Sequence, residues 1–358
     1  MSNPSNSSIP LSCFQIPNTF WKQFREISVS MIASIGMITS LFCIFMIQKI
    51  MKQNKNISYR YLLIIFIFNL LYTNFIFSIG FIRNYTYYTS ILCQKIFLYY
   101  DVFIYYPFNA MVVKMSLLTV TFMGLDRYLF VAHAIKYRHH KNNIHRFFPI
   151  IILIIGLYAF GFSIYRFLQY EIVYDPLTLC YVKIKTALAK TYFVANVMGY
   201  INSVFLLILP IIIMWSFTIL LFVKMLKMSR KVSEFKSTRS SANQSSIASD
   251  RSSTILPNSR NTATGQSKST NNLNRLNVFM SVIVTIFTVP EWLIMMEVEL
   301  FISEVYGLKA GEIGFLFIDL SETLLPIAMA ISFLFIDKNF KRIYHGMKLN
   351  KHFLLFMS

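Results

Sequence analysis

The chain has 358 residues and is too apolar, and too poor in charged residues, for a soluble protein of that length. Hydrophobic residues make up 56% of it, charged residues 14%, and the mean hydropathy is +0.54, whereas soluble domains contain about 25% charged residues. This composition excludes a disordered chain, a coiled coil and a disulfide-dense miniprotein, and it indicates a membrane protein with several spans.

Seven apolar stretches are long enough to cross the bilayer core as helices, which takes about 20 residues each. Continuous apolar runs favour helices over the strictly alternating strands of a membrane β-barrel. The sequence therefore predicts an all-α membrane protein, a bundle of seven transmembrane helices. The predicted spans are 27–48, 61–82, 103–125, 147–168, 199–223, 277–302 and 313–336.

Positive charge is concentrated on one side of these spans. If the amino terminus is outside, the cytoplasmic segments hold 24 of the 34 Lys and Arg residues and only four acids. Cytoplasmic loops carry an excess of Lys and Arg, so this topology is predicted. The net charge of +19 then reflects topology, and the partner it indicates is the lipid bilayer rather than nucleic acid. The segments counted are 48–60, 126–146, 224–275 and 337–358.

The spans divide the chain into five parts. An extracellular tail precedes five spans with their loops, a long cytoplasmic loop, two further spans, and a cytoplasmic amphipathic helix with a short tail. The long loop is rich in Ser, Thr, Asn, Lys and Arg, which predicts disorder. The hydroxyls of its R-S-S-T run at 251–254 are either phosphate acceptors or part of a plain linker. The predicted bounds are 1–26, 27–228, 229–275, 276–336 and 337–358.

Two cysteines, Cys93 and Cys180, fall in segments predicted to face the oxidising exterior. A disulfide bond between them is predicted, and it pins the second outer loop over the third helix. Cys13, in the outer tail, is the alternative partner for either one. Cys43, inside the first span, is predicted to be a packing residue. The outward-facing glycosylation sequons are those of Asn6 and Asn84, and the cytoplasmic ones, predicted to stay bare, are those of Asn56 and Asn243.

The inner end of the third span reads Leu125-Asp126-Arg127-Tyr128. This segment resembles the D-R-Y motif of rhodopsin-like G-protein-coupled receptors, and its place at the cytoplasmic end of the third of seven helices makes the resemblance specific. The resemblance implies that Asp126, Arg127 and Tyr128 form a switch. Arg127 is held by Asp126 in one state and is released to contact a heterotrimeric G protein in the other.

The second span resembles the same family with one difference. In the segment from Asn69 to Asn74, Asn74 stands where the family usually has an Asp. Ser116 matches a family Ser that holds sodium together with that Asp. The resemblance therefore implies a sodium site that lacks its main charge.

The seventh span departs furthest, because the family motif N-P-x-x-Y is missing from it. Phe340 resembles the Phe of the amphipathic eighth helix of the family. Counting back from it puts Phe333 at the Tyr position and Met329-Ala330 at Asn-Pro. The alternative alignment places Pro326 at the family Pro.

Two stretches resemble a narrower group, the FMRFamide-like neuropeptide receptors of invertebrates, of nematode type. They are the segment from Tyr105 to Phe108, with its 20-residue step from Pro107 to Arg127, and the segment from Ser163 to Glu171. This resemblance implies a plasma-membrane receptor for an extracellular, RFamide-like neuropeptide. Its expected partners are the peptide, a heterotrimeric G protein and arrestin.

Charged residues inside the spans indicate function, because placing a charge in the bilayer core costs free energy. Lys114 lies in the third span, Glu291 follows Pro290 in the sixth, and Asp319 and Glu322 share a face of the seventh. Lys114 is predicted to pair with Glu291 or Glu322. This pair either only sets helix packing or leaves an acid for a cationic ligand.

An amidated Arg-Phe peptide end carries a guanidinium and an aromatic ring. Acidic side chains can bind the guanidinium, and aromatic side chains can contact both groups. The aromatic candidates are Tyr105, Tyr106, Phe108 and Trp292, for which ordinary packing is the alternative interpretation. The candidate ligand-binding residues are Tyr105, Asn109, Lys114, Glu291, Trp292, Asp319 and Glu322.

Other functions are weaker interpretations of the same sequence. A chemosensory receptor for small external molecules uses the same fold. A transporter or channel predicts paired broken spans in two halves, and no internal repeat is seen. An enzyme is not indicated, because the chain has neither a Gly-rich phosphate loop nor a Ser nucleophile motif. The four His residues of the second cytoplasmic loop lack supporting Cys or acidic ligands, so neither a metal nor a cofactor is expected.

Overall fold

Helices form nearly all of the part of the chain that the computed structural model describes, namely residues 20–53, 56–85, 91–176, 180–191, 193–244, 273–288 and 308–349. The first four helices are α1 Phe20–Gln53, α2 Ile57–Tyr85, α3 Ile91–Ala132 and α4 Ala134–Ser163, which ends in the 3₁₀ turn Ile164–Leu168. The remaining helices are α5 Phe193–Gln244, α6 Leu273–Thr288, α7 Leu308–Ile336 and α8 Lys338–Leu349.

Six of the described helices, α1 to α5 and α7, are long and apolar enough to cross a membrane. The described part of α6 is apolar but shorter, and the rest of the predicted sixth span lies outside the described residues. The prediction of an all-α membrane bundle is confirmed. Exposed apolar side chains such as Met31, Ile38, Leu153 and Leu157 lie on the outer faces of α1 and α4, as lipid contact requires.

The helix α3 is the centre of the bundle. It packs against α2, α4 and α5, while α1 packs against α2 and α7. The main apolar core lies toward the cytoplasmic side and joins Val120 and Met123 of α3 to Met280 of α6 and Phe333 of α7, all of them buried. The cytoplasmic end of the third span is therefore surrounded by other helices.

Two of the three π-helical segments among the described residues lie shortly before a proline. Tyr100–Tyr105 precedes Pro107 in α3, and Val204–Ile208 precedes Pro210 in α5. Proline lacks an N–H donor and its ring clashes with the carbonyl one turn earlier, so the local widening of the helix accommodates it. Such π-bulges are frequent at functional sites, and the first one begins beside Asp101 and ends at Tyr105.

A β-hairpin that was not predicted covers the loop between α4 and α5. Its antiparallel strands are β1 Tyr170–Asp175 and β2 Cys180–Lys185, and Tyr170 lies opposite Lys185. Alternating aromatic or β-branched residues on both sides of Asp175-Pro176 are the sequence signal for this hairpin.

The helices α3, α4, α5 and α7 begin before their predicted spans, and two of the predicted domain boundaries also differ from the structure. The helix α1 begins at Phe20, within the predicted tail, and α5 continues to Gln244, so the first part of the loop predicted to be disordered is helical. Lys, Arg, Glu and Ala in residues 229–244 have good helix propensity, and they continue a helix that the span has already nucleated. Residues 245–272 lie outside the described residues.

Candidate functional site

Arg127 is buried at the cytoplasmic end of α3, with 1% of its surface exposed. Its Nη2 lies 2.8 Å and its Nε 3.3 Å from Oδ2 of Asp126. Its guanidinium carbon also lies 5.3 Å from the centroid of the Phe130 ring. The structure thus brings together the predicted pair of Asp126 and Arg127, with the arginine out of reach of a cytoplasmic partner.

Asp126 has a second partner that the sequence did not reveal. The hydroxyl of Tyr137, in the first turns of α4, donates a 2.7 Å hydrogen bond to Oδ1 of Asp126. Burial, followed by the charge of Asp126, raises the pKa of Tyr137, so the phenol stays protonated and remains a donor. The Tyr128 ring instead lies 5.8 Å from the Phe217 ring of α5, which places it on another face of α3.

A polar residue before α2 also contacts the arginine. Nη2 of Arg127 donates to Oδ1 of Asn56 at 3.3 Å. The same oxygen accepts a 3.1 Å hydrogen bond from the backbone N–H of Ser58, which is the N-cap arrangement for a helix start. Oδ1 of Asn56 therefore both caps α2 and contacts Arg127.

The same turn of α2 is tied to the start of α8. The hydroxyl of Tyr59 donates to Oδ2 of Asp337 at 2.8 Å and accepts from Nδ2 of Asn339 at 2.7 Å. Oδ1 of Asp337 accepts from the backbone N–H groups of Asn339 and Phe340, at 2.7 and 3.2 Å. Burial raises the pKa of Asp337, and these hydrogen bonds act in the opposite direction.

The predicted sodium-site position is wrong by more than one turn. Ser116 donates a 3.0 Å hydrogen bond to Asn69, not to Asn74, and Asn69 donates to the sulfur of Met329 at 3.2 Å. Asn74 is exposed, because five residues along α2 correspond to about 500° of rotation and bring its side chain to the outer face. The buried polar position between α2, α3 and α7 is Asn69.

The start of α8 packs against the end of α7 through aromatic rings. The Phe333 and Phe340 rings lie 5.8 Å apart in an edge-to-face arrangement, and Phe66 of α2 lies 5.9 Å from Phe333. Met329, four residues before Phe333, faces Asn69. These contacts favour the alignment counted from Phe340 over the one that uses Pro326.

A second site lies further out in the bundle, between α1, α2, α3 and α7. Asp319 forms a 3.1 Å ion pair with Nε of Arg25, and Glu322 accepts a 3.1 Å hydrogen bond from the hydroxyl of Tyr72. Tyr105 packs against the same apolar cluster as Tyr72. Three of the predicted ligand residues therefore surround Tyr72. Because Asp319 already has a cationic partner, the expectation of an acid without one is not met at that residue.

Of the remaining predicted ligand residues, the structure describes Lys114 and Asn109 but not Glu291 and Trp292. Lys114 is buried in α3, with 4% of its surface exposed, and its pairing with Glu291 or Glu322 stays a prediction. The side-chain oxygen of Asn109 is buried and accepts no hydrogen bond from any described residue. Glu291 and Trp292 lie outside the described residues.

The β-hairpin is fastened to the outer half of α3. Lys183 of β2 forms a 3.0 Å ion pair with Asp101, and its Nζ lies 4.5 Å from the Tyr170 ring centroid and 5.5 Å from that of Tyr106. Phe108 lies 5.6 Å from Phe167 at the end of α4. Tyr106 and Phe108 thus contact the hairpin and the end of α4, which agrees with the packing interpretation, and a ligand-binding role for them stays a prediction.

The sequence carried weak signals for the residues that were missed. Asn56, two residues before Ser58, is an N-cap signal at the start of an apolar run. Asp337 precedes the Lys-Asn-Phe start of α8 in the same way. Arg25 and Tyr72 gave no signal beyond residue type, because only the packing of α1 and α2 against α7 places them beside the acids.

The geometry consists of a buried, ion-paired arginine on the central helix of a membrane bundle, with a polar site further out. The family model described as seven-transmembrane receptor (rhodopsin family) matches residues 50–301. The chain belongs to this family of rhodopsin-like receptors. No curated protein matches it.

Membership of the family defines what kind of protein this is. It is a multi-pass protein of the plasma membrane that signals through heterotrimeric G proteins, and it is a receptor rather than an enzyme. The transporter and channel alternatives are thereby excluded.

Proposed function

We propose that this receptor responds to an extracellular neuropeptide with a cationic and aromatic end, of the RFamide type. The observation that carries the proposal is the position of Asp319 and Glu322 on one face of α7, against the two tyrosines Tyr72 and Tyr105. Carboxylates bind a guanidinium by charge-assisted hydrogen bonds, and tyrosine rings offer a surface for a phenylalanine ring or a cation.

Arg25 supports this proposal because it occupies the place of a ligand guanidinium. It is an internal arginine held against Asp319, and the two side chains are 27% and 39% exposed. An exposed ion pair is worth only about 0–1 kcal/mol. A peptide arginine with additional contacts can therefore displace Arg25 from Asp319 at little cost.

Other predicted ligand residues complete the proposal. The buried oxygen of Asn109, which has no donor among the described residues, is an acceptor for the terminal amide of the peptide. Lys114, Glu291 and Trp292 are proposed to form the inner wall of the site, with Lys114 paired to an acid.

The outer surface is proposed to be held by a disulfide bond between Cys93 and Cys180. Their side chains lie outside the part of the structure that is described, but α3 packs against β2, and Nζ of Lys95 lies 5.0 Å from the Tyr181 ring centroid. These contacts bring the two neighbouring backbones together. Glycosylation at Asn6 and Asn84, and recruitment of arrestin after phosphorylation, belong to the same proposal.

The test uses cells that express the receptor together with resonance-energy-transfer sensors for each Gα class. The probes are amidated Arg-Phe peptides and matched peptides in which citrulline, a neutral isostere, replaces arginine. We expect the citrulline peptides to be inactive. Asp319→Asn and Glu322→Gln are expected to lower the potency of the arginine peptides at least tenfold, the loss of one charge-assisted contact.

Arg25→Gln gives the sharpest outcome, because removing the internal competitor is expected to raise the potency of the arginine peptides. Glu171→Gln is the matched control, since Glu171 is an exposed acid on the hairpin. Its replacement removes a negative charge from the outer surface without changing the proposed ligand site. A receptor that ignores the peptides and responds to a small external molecule would establish the chemosensory alternative instead.

A further inference from the structure

We propose that the first turn of α2, through Asn56 and Tyr59, is the clamp that holds Arg127 in the resting state. The proposal concerns the G-protein switch and is independent of the ligand. It assigns a positioning role to a residue that lies outside the D-R-Y segment.

The starting point is the set of contacts that Arg127 makes. Asp126 is its neighbour on the same helix and moves with it, so this ion pair alone does not hold α3 relative to the rest of the bundle. Among the described residues, Asn56 is the hydrogen-bond partner that joins Arg127 to a different helix, at 3.3 Å. Contact with a second helix is what makes the position of Arg127 depend on the state of the bundle.

The described part of the sixth helix supplies buried apolar side chains but no hydrogen-bond partner for Arg127. Its described residues 273–288 include no acid. Leu273 and Leu276 belong to the buried core, and the side-chain oxygens of Asn274 and Asn277 accept no hydrogen bond among the described residues. The polar contact that restrains Arg127 is therefore made on the α2 side of α3.

The position of Asn56 is fixed by its own hydrogen bonds. Its Oδ1 caps α2 through the N–H of Ser58 at 3.1 Å, and its carbonyl accepts from the N–H of Tyr59 at 3.2 Å. The hydroxyl of Tyr59 is in turn held by Asp337 and Asn339 at the start of α8. Arg127 thus meets an acceptor that is already oriented, so little side-chain freedom is lost when the hydrogen bond forms.

This clamp is suited to release. Nη1 of Arg127 is buried and has no hydrogen-bond acceptor among the described residues, which is unfavourable for a charged donor. Outward movement of Arg127 relieves that penalty. Among the described residues, the direct hydrogen bond between Arg127 and another helix is therefore the modest one to Asn56, which can break readily.

The experiment compares substitutions at Asn56 that separate the helix cap from the arginine contact. Asn56→Ser keeps a good N-cap residue, but its side chain is too short to reach Arg127. Asn56→Asp keeps the cap and places a charge opposite Arg127. Tyr59→Phe removes the hydroxyl that anchors the turn, and Ser58→Ala is the matched control, since the buried Ser58 hydroxyl has no partner among the described residues.

The readout is ligand-independent signalling, measured with dissociation sensors for each Gα class at matched surface expression. We expect Asn56→Ser to raise it about tenfold, the effect of losing a hydrogen bond to a charged group, and Tyr59→Phe to raise it by a smaller factor. Asn56→Asp is expected to lower it, and Ser58→Ala to leave it unchanged.

A role restricted to capping α2 predicts that the Ser and Asp variants both behave like wild type. That result, or equal increases in both variants, overturns the proposal. Wild-type signalling in Tyr59→Phe overturns the anchoring role of Tyr59. Because no peptide is used, the outcome is independent of whether the RFamide proposal holds.

Discussion

Tyr137 and Arg127 hold opposite oxygens of one carboxylate. The phenol of Tyr137 donates to Oδ1 of Asp126 at 2.7 Å, while Arg127 donates to Oδ2 at 2.8 Å. The tyrosine belongs to α4 and the arginine to α3, so the carboxylate links the start of α4 to Arg127. The hydrogen bond from Tyr137 therefore fixes the orientation of the carboxylate that Arg127 contacts.

Replacing either group that supports the ion pair is expected to raise basal signalling. Asp126→Asn removes the charge that holds Arg127, and we expect about a tenfold increase. Tyr137→Phe removes one hydrogen bond to the Asp126 carboxylate but keeps its ion pair with Arg127, so we expect a smaller increase in basal signalling. G-protein dissociation without ligand, at matched surface expression, is the measurement. Tyr174→Phe, an exposed phenol on the hairpin, is the control, and reduced signalling in Tyr137→Phe would contradict the argument.

Arg127 itself is expected to be required for activation. In the Asp126→Asn background, which provides a signal without a ligand, adding Arg127→Ala is expected to return G-protein dissociation to that of cells without receptor. This expectation follows from the interpretation of the D-R-Y segment, in which the released guanidinium contacts the G protein. If the double variant signals like Asp126→Asn alone, the D-R-Y segment carries no switching function in this chain.

Signalling of the wild-type receptor is expected to be insensitive to sodium. The residue beside Ser116 is the uncharged Asn69, and a monovalent cation needs a negative ligand to bind in a buried site. Asn69→Asp introduces that charge, and we expect basal signalling to fall when sodium replaces a bulky organic cation at constant ionic strength. Asn74→Asp is the control, and it is expected to have no effect because its side chain is exposed.

Asp337 is expected to give the receptor a pH-dependent stability. Its raised pKa means that the folded state holds the proton more tightly than the unfolded state. The resulting stabilisation is full below the ordinary Asp pKa of about 3.9 and is lost as the pH rises through the higher folded value. Asp337→Asn keeps a capping residue and removes the titration.

The measurement for Asp337 is the melting temperature of the detergent-solubilised receptor as a function of pH. The difference between wild type and Asp337→Asn isolates this one group. We expect the wild type to lose stability relative to the variant as the pH rises, and a difference of the opposite sign would contradict the assignment.

The long cytoplasmic loop is expected to act in desensitisation rather than in folding. Replacing residues 245–270 with a Gly-Asn linker of the same length should leave surface expression and basal G-protein dissociation unchanged, because their composition offers little apolar surface to pack. Arrestin recruitment is expected to fall, because the Ser and Thr hydroxyls that accept phosphate are lost. Alanine replacement of Ser252, Ser253 and Thr254 alone tests the R-S-S-T run.

The sequence was sufficient for the bundle and for the ion pair of Asp126 and Arg127, because both depend on local patterns. Apolar runs of bilayer length predicted the spans, and Asp126 and Arg127 are neighbours whose ion pair needs no tertiary information. The outer site was predicted only in part. Asp319 and Glu322 share a face by helical spacing, but the approach of Arg25 and Tyr72 depends on how α1 and α2 pack against α7.

The error at Asn74 has a geometric origin. The two asparagines are five residues apart, so a motif match that is correct in residue type selects the wrong face of α2. Only the contact between Ser116 and Asn69 fixes the register. The clamp at Asn56 was missed for a related reason, since a cap signal indicates where a helix begins but not which other helix the cap residue contacts.

The apolar end of α7 has a thermodynamic consequence. Met329, Ala330 and Phe333 are all completely buried, so a movement of α7 separates hydrocarbon surfaces more than it exchanges polar contacts. Hydration of apolar surface has almost no enthalpy near 25 °C and a large heat capacity. The equilibrium between the inactive and active conformations should therefore give a curved van 't Hoff plot. The enthalpy difference between the two conformations should change steeply with temperature.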